Sequence, residues 1–202
     1  MKNKKLVIFD FDGVIVESLD LWFEVTKESN PELTKEEYIS MSYGSYIEAS
    51  EKKNITYNHN GLENYRNRLM EIESPRALIS FIEKNNDKYT FAIVSSGNEL
   101  TIKKFLNKEK IESYFIAVLG QETHKSKTAK IINLLGLQNF DNKDSVFITD
   151  TLGDVIEAHE ASIKSIGVLW GLHDRETLER GRPEVIIENP EELEKVISDI
   201  LD

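Results

Sequence analysis

The chain has 202 residues, 40% of them hydrophobic and 30% charged, which predicts a globular protein with one substantial core or a core with a small insertion. Its formal net charge of -11 argues against nucleic acid and against an anionic membrane surface as partners. The chain has no cysteine, so it forms no disulfide, and we expect it in the cytoplasm. No apolar stretch reaches membrane-spanning length, and the apolar run near the N-terminus is too short for a signal peptide.

The first predicted element is a buried strand that ends in two acids. Leu6 to Phe9 form a continuous apolar run, and Asp10 and Asp12 follow with one aromatic residue between them. Alternate residues of an extended chain point to the same face, and Gly13 lets the chain turn away just after them. Two such carboxylates repel each other unless a cation lies between them, which favours a divalent metal ion, Mg²⁺ in particular. The alternative is a strand that ends in an ordinary polar turn.

The stretch from residue 18 to residue 74 has helical periodicity and few strand signals. Leu21, Trp22 and Val25 recur at helical spacing, and Thr34 has the sequence context of a capping box. Pro75 marks the end of this stretch and the start of the next helix. We therefore predict a helical insertion that forms a small domain.

From Arg76 onward, apolar runs typical of buried strands alternate with helical patterns. One of these helices, beginning at Thr128, is predicted to stop at Gly136. Such alternation predicts right-handed crossovers and a parallel, doubly wound sheet. The predicted fold class is therefore α/β, with residues 1–17 and 75–202 forming the core domain and residues 18–74 inserted after the first strand.

Two later strand ends should meet the first strand at one edge of the sheet, where ligands bind in this class of fold. Ser95 and Ser96 end the second predicted strand, and their hydroxyls and backbone N–H groups suit an anion, although helix capping is the better explanation of these residues taken alone. Asp150 ends another strand, and Asp154 follows one helical turn later, so that both carboxylates can face one point.

Two lysines precede the helix that begins at Thr128. Because a lysine is electrostatically unfavourable at a helix N-terminus, Lys125 or Lys127 is expected to have another task, the alternative being a solvated loop residue. Lys127 lies closer to the helix and is the preferred candidate.

Taken in order, these segments resemble the four motifs of the haloacid dehalogenase superfamily, whose third motif here lacks the usual proline after the lysine. The helical insertion resembles the cap domain of the subfamily that includes phosphoglycolate phosphatases and β-phosphoglucomutases. The segment from Gly167 to His173, with Arg182-Pro183-Glu184 and Asn189-Pro190, is similar to the closing region of the phosphoglycolate phosphatase-like members.

The resemblance implies a Mg²⁺-dependent phosphatase that acts through an aspartyl-phosphate. Asp10 is then the nucleophile, and Asp12 protonates the leaving alkoxide and later activates water. The metal ligands it implies are the Asp10 carboxylate, the Asp12 backbone carbonyl and Asp150, with Asp154 as a ligand or a supporting group. Asp12 separates the sequence from true dehalogenases, which lack an acid there.

The phosphate group is expected to be bound by Ser95, by the Ser96 backbone and by Lys127, with Lys125 as the alternative lysine. In related caps a glycine-containing turn reaches the active site. Here that turn corresponds to Tyr43, Gly44 and Tyr46, which would set specificity for a small phosphorylated metabolite. The alternative is that both tyrosines belong to the cap's own core.

Other activities use similar residues. A phosphomutase would return the phosphate to its product, and a phosphonate hydrolase would need a cap lysine, for which Lys27, Lys35, Lys52 and Lys53 are available. A non-catalytic phosphate-binding module would be free to lose Asp10 or Asp12, so the intact acids argue against it. The protein is expected to be a monomer or a homodimer.

Overall fold

The computed structural model describes residues 5–57 and 59–201, with the side chain of His59 left out. Its centre is one sheet of six parallel strands. The strands are β1 Lys5–Phe9, β2 Tyr89–Val94, β3 Phe115–Leu119, β4 Ser145–Thr149, β5 Lys164–Val168 and β6 Val185–Ile187.

Helices connect the strands and form the insertion. The α-helices are α1 Leu19–Ser29, α2 Lys35–Ser40, α3 Tyr46–Lys52, α4 His59–Leu69, α5 Arg76–Asn85, α6 Glu99–Lys108, α7 Lys127–Gln138, α8 Leu152–Glu160, α9 Arg175–Glu179 and α10 Leu193–Leu201. Short 3₁₀ turns cover Met41–Tyr43, Glu112–Tyr114, Asn142–Asp144 and Pro190–Glu192.

The strand order β3-β2-β1-β4-β5-β6 fixes where a ligand can bind. The chain winds outward in one direction from β1 to β3 and then in the other direction from β4 to β6. At the reversal, the loops after β1 and β4 diverge and leave a crevice at the carboxyl ends of the strands.

Both faces of the sheet are covered. Val7 and Phe9 pack with side chains of α5, α6 and α10, whereas Leu6 and Ile8 pack with side chains of α7 and α8. All four are fully buried, as a continuous apolar run in a parallel strand predicts. The α/β, doubly wound fold class is therefore confirmed.

The predicted end of one helix at Gly136 is wrong. Helix α7 continues to Gln138, and Asn139 ends it in the left-handed conformation with φ of 54°. Gly136 is exposed and an added Cβ would meet open space, so the glycine costs the helix only its intrinsic propensity. The burial of Leu134 and Leu135 just before it favours continuation.

In the segment that corresponds to the predicted cap, the described residues form helices α1 to α4 and one 3₁₀ turn. The capping box at Thr34 is present, because its side chain accepts from the Glu37 N–H while the Glu37 carboxylate accepts from the Thr34 N–H. Leu33, Tyr38 and Met41 form a small apolar cluster of their own. Division of the chain into two domains stays a prediction. None of the helices in the described ranges combines the length and apolar character that a membrane crossing requires.

Candidate active site

The carboxyl ends of β1 and β4 bring two aspartates together. Asp10 follows β1 and donates its N–H to the Ile148 carbonyl of β4 at 2.9 Å, and Asp150 follows β4. Both are buried, at 5% and 0% exposure. Burial raises the pKa of Asp10 well above its ordinary value, and the charge of Asp150 adds to that rise, while Lys127 opposes it.

Lys127 forms the ionic centre of the site. It is the first residue of α7, and its Nζ lies 2.9 Å from Asp10 Oδ2 and 2.6 Å from Asp154 Oδ2. Burial disfavours the ammonium, but the two carboxylates outweigh it and raise the pKa of Lys127. The lysine therefore stays charged between two acids that are 27 residues or more away in sequence.

The two candidate lysines lie in different surroundings. Lys125 is exposed and forms an ion pair with Glu51 at 2.6 Å, at the rim of the cavity described below. Glu157 accepts from the Lys127 N–H at 2.7 Å and from the Ser126 hydroxyl at 3.0 Å, so a carboxylate at the start of α7 offsets the unfavourable position of the lysine. Of the two, only Lys127 contacts Asp10 and Asp154.

Asp154 is the ion-pair partner of Lys127 in α8. Its Oδ2 accepts from the Thr149 hydroxyl at 2.7 Å as well as from Lys127. Burial would raise the pKa of Asp154, but Lys127 outweighs it and lowers that pKa. The contacts favour a supporting role for Asp154 over direct metal ligation.

The two carboxylate oxygens of Asp150 differ in their contacts. Its Oδ2 accepts from the Leu172 N–H at 2.8 Å, while among the described residues its buried Oδ1 has no hydrogen-bond partner. A Cβ added at Gly13 or Gly171 would lie 2.1 to 2.4 Å from Oδ2, so the two glycines make room for the carboxylate. Burial and the nearby charge of Asp154 raise the pKa of Asp150 to about 7, although the Leu172 N–H and the charge of Lys127 oppose the rise.

These observations fit a small divalent cation held by Asp10 and Asp150. Within the described chain, no three acidic or histidine side chains gather around one point. Mg²⁺ often takes only one or two protein carboxylates and completes its shell with water and phosphate oxygens, so two are sufficient.

Asp12 faces the insertion. Its Oδ1 accepts from the Ser18 hydroxyl and from the Tyr65 hydroxyl, the latter at 2.9 Å. Partial burial raises the pKa of Asp12, and the two hydroxyls partly offset that rise. A raised pKa suits a group that must carry a proton to a leaving oxygen.

Hydrogen bonds within the loop and from α7 fix the loop after β2. Ser95 is buried and its hydroxyl accepts from the Gly97 N–H at 3.0 Å, while Asn98 provides the cap of α6. Lys130, which the sequence analysis did not single out, donates to the carbonyl of Ser95 and to that of Gly120, the latter at 3.2 Å. Burial and the charge of Lys127 lower the pKa of Lys130 to about 8.

One cavity of about 540 Å³ joins the sheet edge to the insertion. Its core wall includes Asp10, Asp12, Ser95, Ser96, Lys125, Lys127 and Asp154, and its other wall includes Gly44 and Tyr46. Tyr43 is absent from the described lining. It is 38% exposed and packs on His173 and Arg180, at 5.2 and 5.0 Å, so of the predicted cap residues Gly44 and Tyr46 face the cavity.

His173 is a further residue whose position the sequence did not reveal. Its Nδ1 accepts from the Leu152 N–H at 2.9 Å, and its Nε2 lies 3.3 Å from the Ile39 carbonyl. Burial lowers its pKa, so the neutral ring links the loop after β5 to both α8 and the insertion. An isolated histidine in a loop carries no sequence signal for this role.

Comparison with known proteins agrees with the geometry. A family model described as haloacid dehalogenase-like hydrolase matches residues 7–168. A phosphoglycolate phosphatase from Synechococcus elongatus is 21% identical over 209 residues, which cover 96% of this chain and 98% of that protein.

Solved structures share the fold. A hydrolase from Pseudomonas syringae superposes with a TM-score of 0.80 at 17% identity, covering 98% of this chain and 100% of the other. A predicted phosphatase from Clostridium acetobutylicum superposes with a TM-score of 0.76 at 23% identity, covering 97% and 99%. Because the family model spans most of the sequence, this chain belongs to the haloacid dehalogenase-like hydrolases and is a hydrolase of the phosphatase type.

Proposed function

We propose that the protein is a Mg²⁺-dependent phosphatase that hydrolyses a small phosphomonoester through an aspartyl-phosphate on Asp10. The observation that carries the proposal is the contact of Lys127 with Asp10 and Asp154, beside a buried Asp150 whose Oδ1 has no partner among the described residues. A charged lysine and a vacant carboxylate oxygen next to one nucleophile suit the transfer of an anionic group.

In the first half of the reaction, a carboxylate oxygen of Asp10 forms a bond to phosphorus while the bond from phosphorus to the alcohol oxygen breaks. Asp12 gives its proton to that oxygen, and its raised pKa favours the protonated form. The Phe11 N–H donates to Asp10 Oδ1 at 2.7 Å and holds the carboxylate in place.

In the second half, Asp12 takes a proton from water while the water oxygen forms a bond to phosphorus. The bond between phosphorus and the Asp10 oxygen breaks, which releases phosphate and restores the Asp10 carboxylate. Lys127 neutralises charge on the phosphoryl oxygens, and Ser95 and the Ser96 N–H bind them in the pocket. Mg²⁺, when held by Asp10 and Asp150, would supply further neutralisation for a dianionic substrate that approaches an acidic protein.

Substitution of Asp10 by Asn tests the nucleophile. We expect the variant to lose phosphate release from a panel of phosphomonoesters by about 10⁴-fold or more, since the covalent route is closed. The matched control is Asp199→Asn, which removes an exposed carboxylate from α10. Full activity of Asp10→Asn, or full activity after prolonged treatment with EDTA, would refute the mechanism.

The phosphomutase alternative uses the same residues and differs in its product. Release of inorganic phosphate in proportion to substrate consumed supports the phosphatase, whereas an isomerised phosphate ester supports the mutase.

A phosphonate hydrolase would need a cap lysine in the cavity. Among the described lining residues the lysines are Lys125 and Lys127, both outside the insertion, and the insertion contributes Arg66. The structure therefore offers no candidate for a Schiff base in its described part. A product trapped by borohydride would overturn this conclusion.

A further inference from the structure

The wall of the cavity that faces the catalytic aspartates is aromatic. Five rings of the insertion line it, from α1, from α2, from α3, from the segment before α4 and from α4 itself. They are Trp22, Tyr38, Tyr46, Tyr57 and Tyr65.

These rings form a continuous surface. Trp22 stacks on Tyr65 with centroids 4.0 Å apart, and Tyr57 meets the edge of Trp22 at 6.0 Å. The hydroxyls of Tyr57 and Tyr46 lie 2.8 Å apart, and Tyr46 contacts Tyr38 at 6.0 Å. Tyr38 and Tyr65 are almost fully buried, at 6% and 4% exposure, so of the five rings a group in the cavity meets mainly Trp22, Tyr46 and Tyr57.

The aromatic surface begins at the proton donor. The hydroxyl of Tyr65 donates to Asp12 Oδ1 at 2.9 Å, and Trp22 lies directly behind the Tyr65 ring. Since Asp12 protonates the leaving oxygen, the carbon skeleton attached to that oxygen must extend onto this surface.

Two of the three cations that line the described cavity are already paired with carboxylates. Of the three lining cations, Lys125 pairs with Glu51, and Lys127 pairs with Asp10 and Asp154. Arg66 also lines the cavity and is exposed, so solvent screens its charge. The volume of about 540 Å³ also exceeds what a two-carbon acid would fill.

We propose that the alcohol part of the substrate carries an aromatic ring, which packs against Trp22 and Tyr57 while the phosphate binds at Asp10. This inference rests on the proposed phosphatase function and specifies its substrate class. Ring contacts of this kind contribute about 0.5–1.5 kcal/mol beyond the burial of area, which corresponds to about tenfold in kcat/KM at the upper end.

The test compares esters whose leaving alcohols are similarly basic, so that differences report recognition. We expect kcat/KM for 2-phenylethyl phosphate to exceed that for glycerol 3-phosphate and for phosphoglycolate by about tenfold or more. The cyclohexyl analogue separates aromatic contact from general apolar burial and should fall between them.

Variants then locate the contact. Tyr57→Leu is expected to lower the ratio of kcat/KM for 2-phenylethyl phosphate to that for glycerol 3-phosphate by about tenfold, whereas Tyr57→Phe retains the ring and most of the ratio. Because each variant is its own reference, partial unfolding changes both rates and leaves the ratio intact.

Three results would overturn the proposal. Preference for phosphoglycolate that Arg66→Gln removes would identify a carboxylate-binding site instead. An unchanged ratio in Tyr57→Leu and Trp22→Leu would assign the rings to the cap's core. Phosphate release from none of these esters, with Mg²⁺ present, would refute the phosphatase function together with this inference.

Discussion

At the scale of single residues, a direct ion pair with Lys127 distinguishes Asp154 from Asp150. Asp154 has Lys127 and Thr149 as partners, and its pKa is lowered. Asp150 has one backbone donor, and its pKa rises to about 7. Two aspartates four residues apart thus have opposite titration behaviour, because the lysine contacts one carboxylate and not the other.

This difference predicts a pH-dependent effect of metal on stability. Because the pKa of folded Asp150 lies above that of an unfolded aspartate, the metal-free protein loses stability as the pH rises through about 7. A cation that binds the ionised carboxylate offsets this loss, so saturating Mg²⁺ should raise Tm more at about pH 8 than at about pH 6.

Thermal melts with and without Mg²⁺ measure this effect. Asp150→Asn should melt at the same temperature with and without the metal at both pH values. An equal Mg²⁺ increment in Asp150→Asn and in the parent protein would show that Asp150 does not bind the ion.

At the scale of elements, the loops after the strands are fixed by side chains that reach across from distant segments. Lys130 of α7 holds the carbonyls of Ser95 and Gly120, and His173 holds the N–H of Leu152 at the start of α8. Each of these side chains provides a hydrogen-bond partner for buried backbone groups. Leaving such a group without a partner costs about 1–3 kcal/mol.

His173 supplies a prediction about α8. His173→Leu leaves the Leu152 N–H without its acceptor and should lower the free energy of unfolding by about 1–3 kcal/mol. His173→Asn, whose side-chain oxygen can take the place of Nδ1, should recover part of that loss.

The same histidine gives a pH dependence. Its lowered pKa means that the folded state favours the neutral ring, so its contribution is present above the unfolded pKa of about 6.5 and is lost as the pH falls through the folded pKa. Urea unfolding between about pH 5 and pH 7 measures how the free energy of unfolding changes with pH. The same pH dependence in His173→Leu would contradict the assignment of this effect to His173.

At the scale of the whole molecule, the backbone of the insertion packs closely against the start of α8. A Cβ added to Gly153, in the first turn of α8, would lie 2.1 Å from the Gly44 carbonyl oxygen in the insertion. The Tyr65 hydroxyl of the insertion also donates to Asp12, in the loop after β1, at 2.9 Å. The shape of the cavity therefore depends on the contacts that the insertion makes with α8 and with the loop after β1.

Two matched glycine substitutions test this junction. Gly153→Ala should favour the helix by about 1 kcal/mol intrinsically, yet displacement of the Gly44 backbone should make it destabilising by about 1–3 kcal/mol and raise KM. Gly44→Ala meets open space and has an extended backbone, so its effect on stability should stay within about 0.5 kcal/mol.

Urea unfolding and steady-state kinetics distinguish the two variants. A stabilised Gly153→Ala protein with unchanged KM would show that the insertion does not rest on α8 as described.

The sequence by itself determined the parallel sheet and the ends of its strands. Continuous apolar runs can be buried on both faces only in such a sheet, and the residues that follow them, Asp10, Ser95 and Asp150, must then gather at one edge. These positions could be predicted because each depends only on local periodicity and on where the chain reverses direction.

Only the tertiary structure decided which side chains meet. The choice of Lys127 over Lys125, the place of Gly44 and Tyr46 rather than Tyr43 in the cavity, and the bond from Tyr65 to Asp12 depend on how α7 and the insertion pack against the sheet. Tyr65 and Asp12 are 53 residues apart, and no periodic pattern links them. Contacts over such separations are set by the packing of whole elements, which local sequence patterns do not specify.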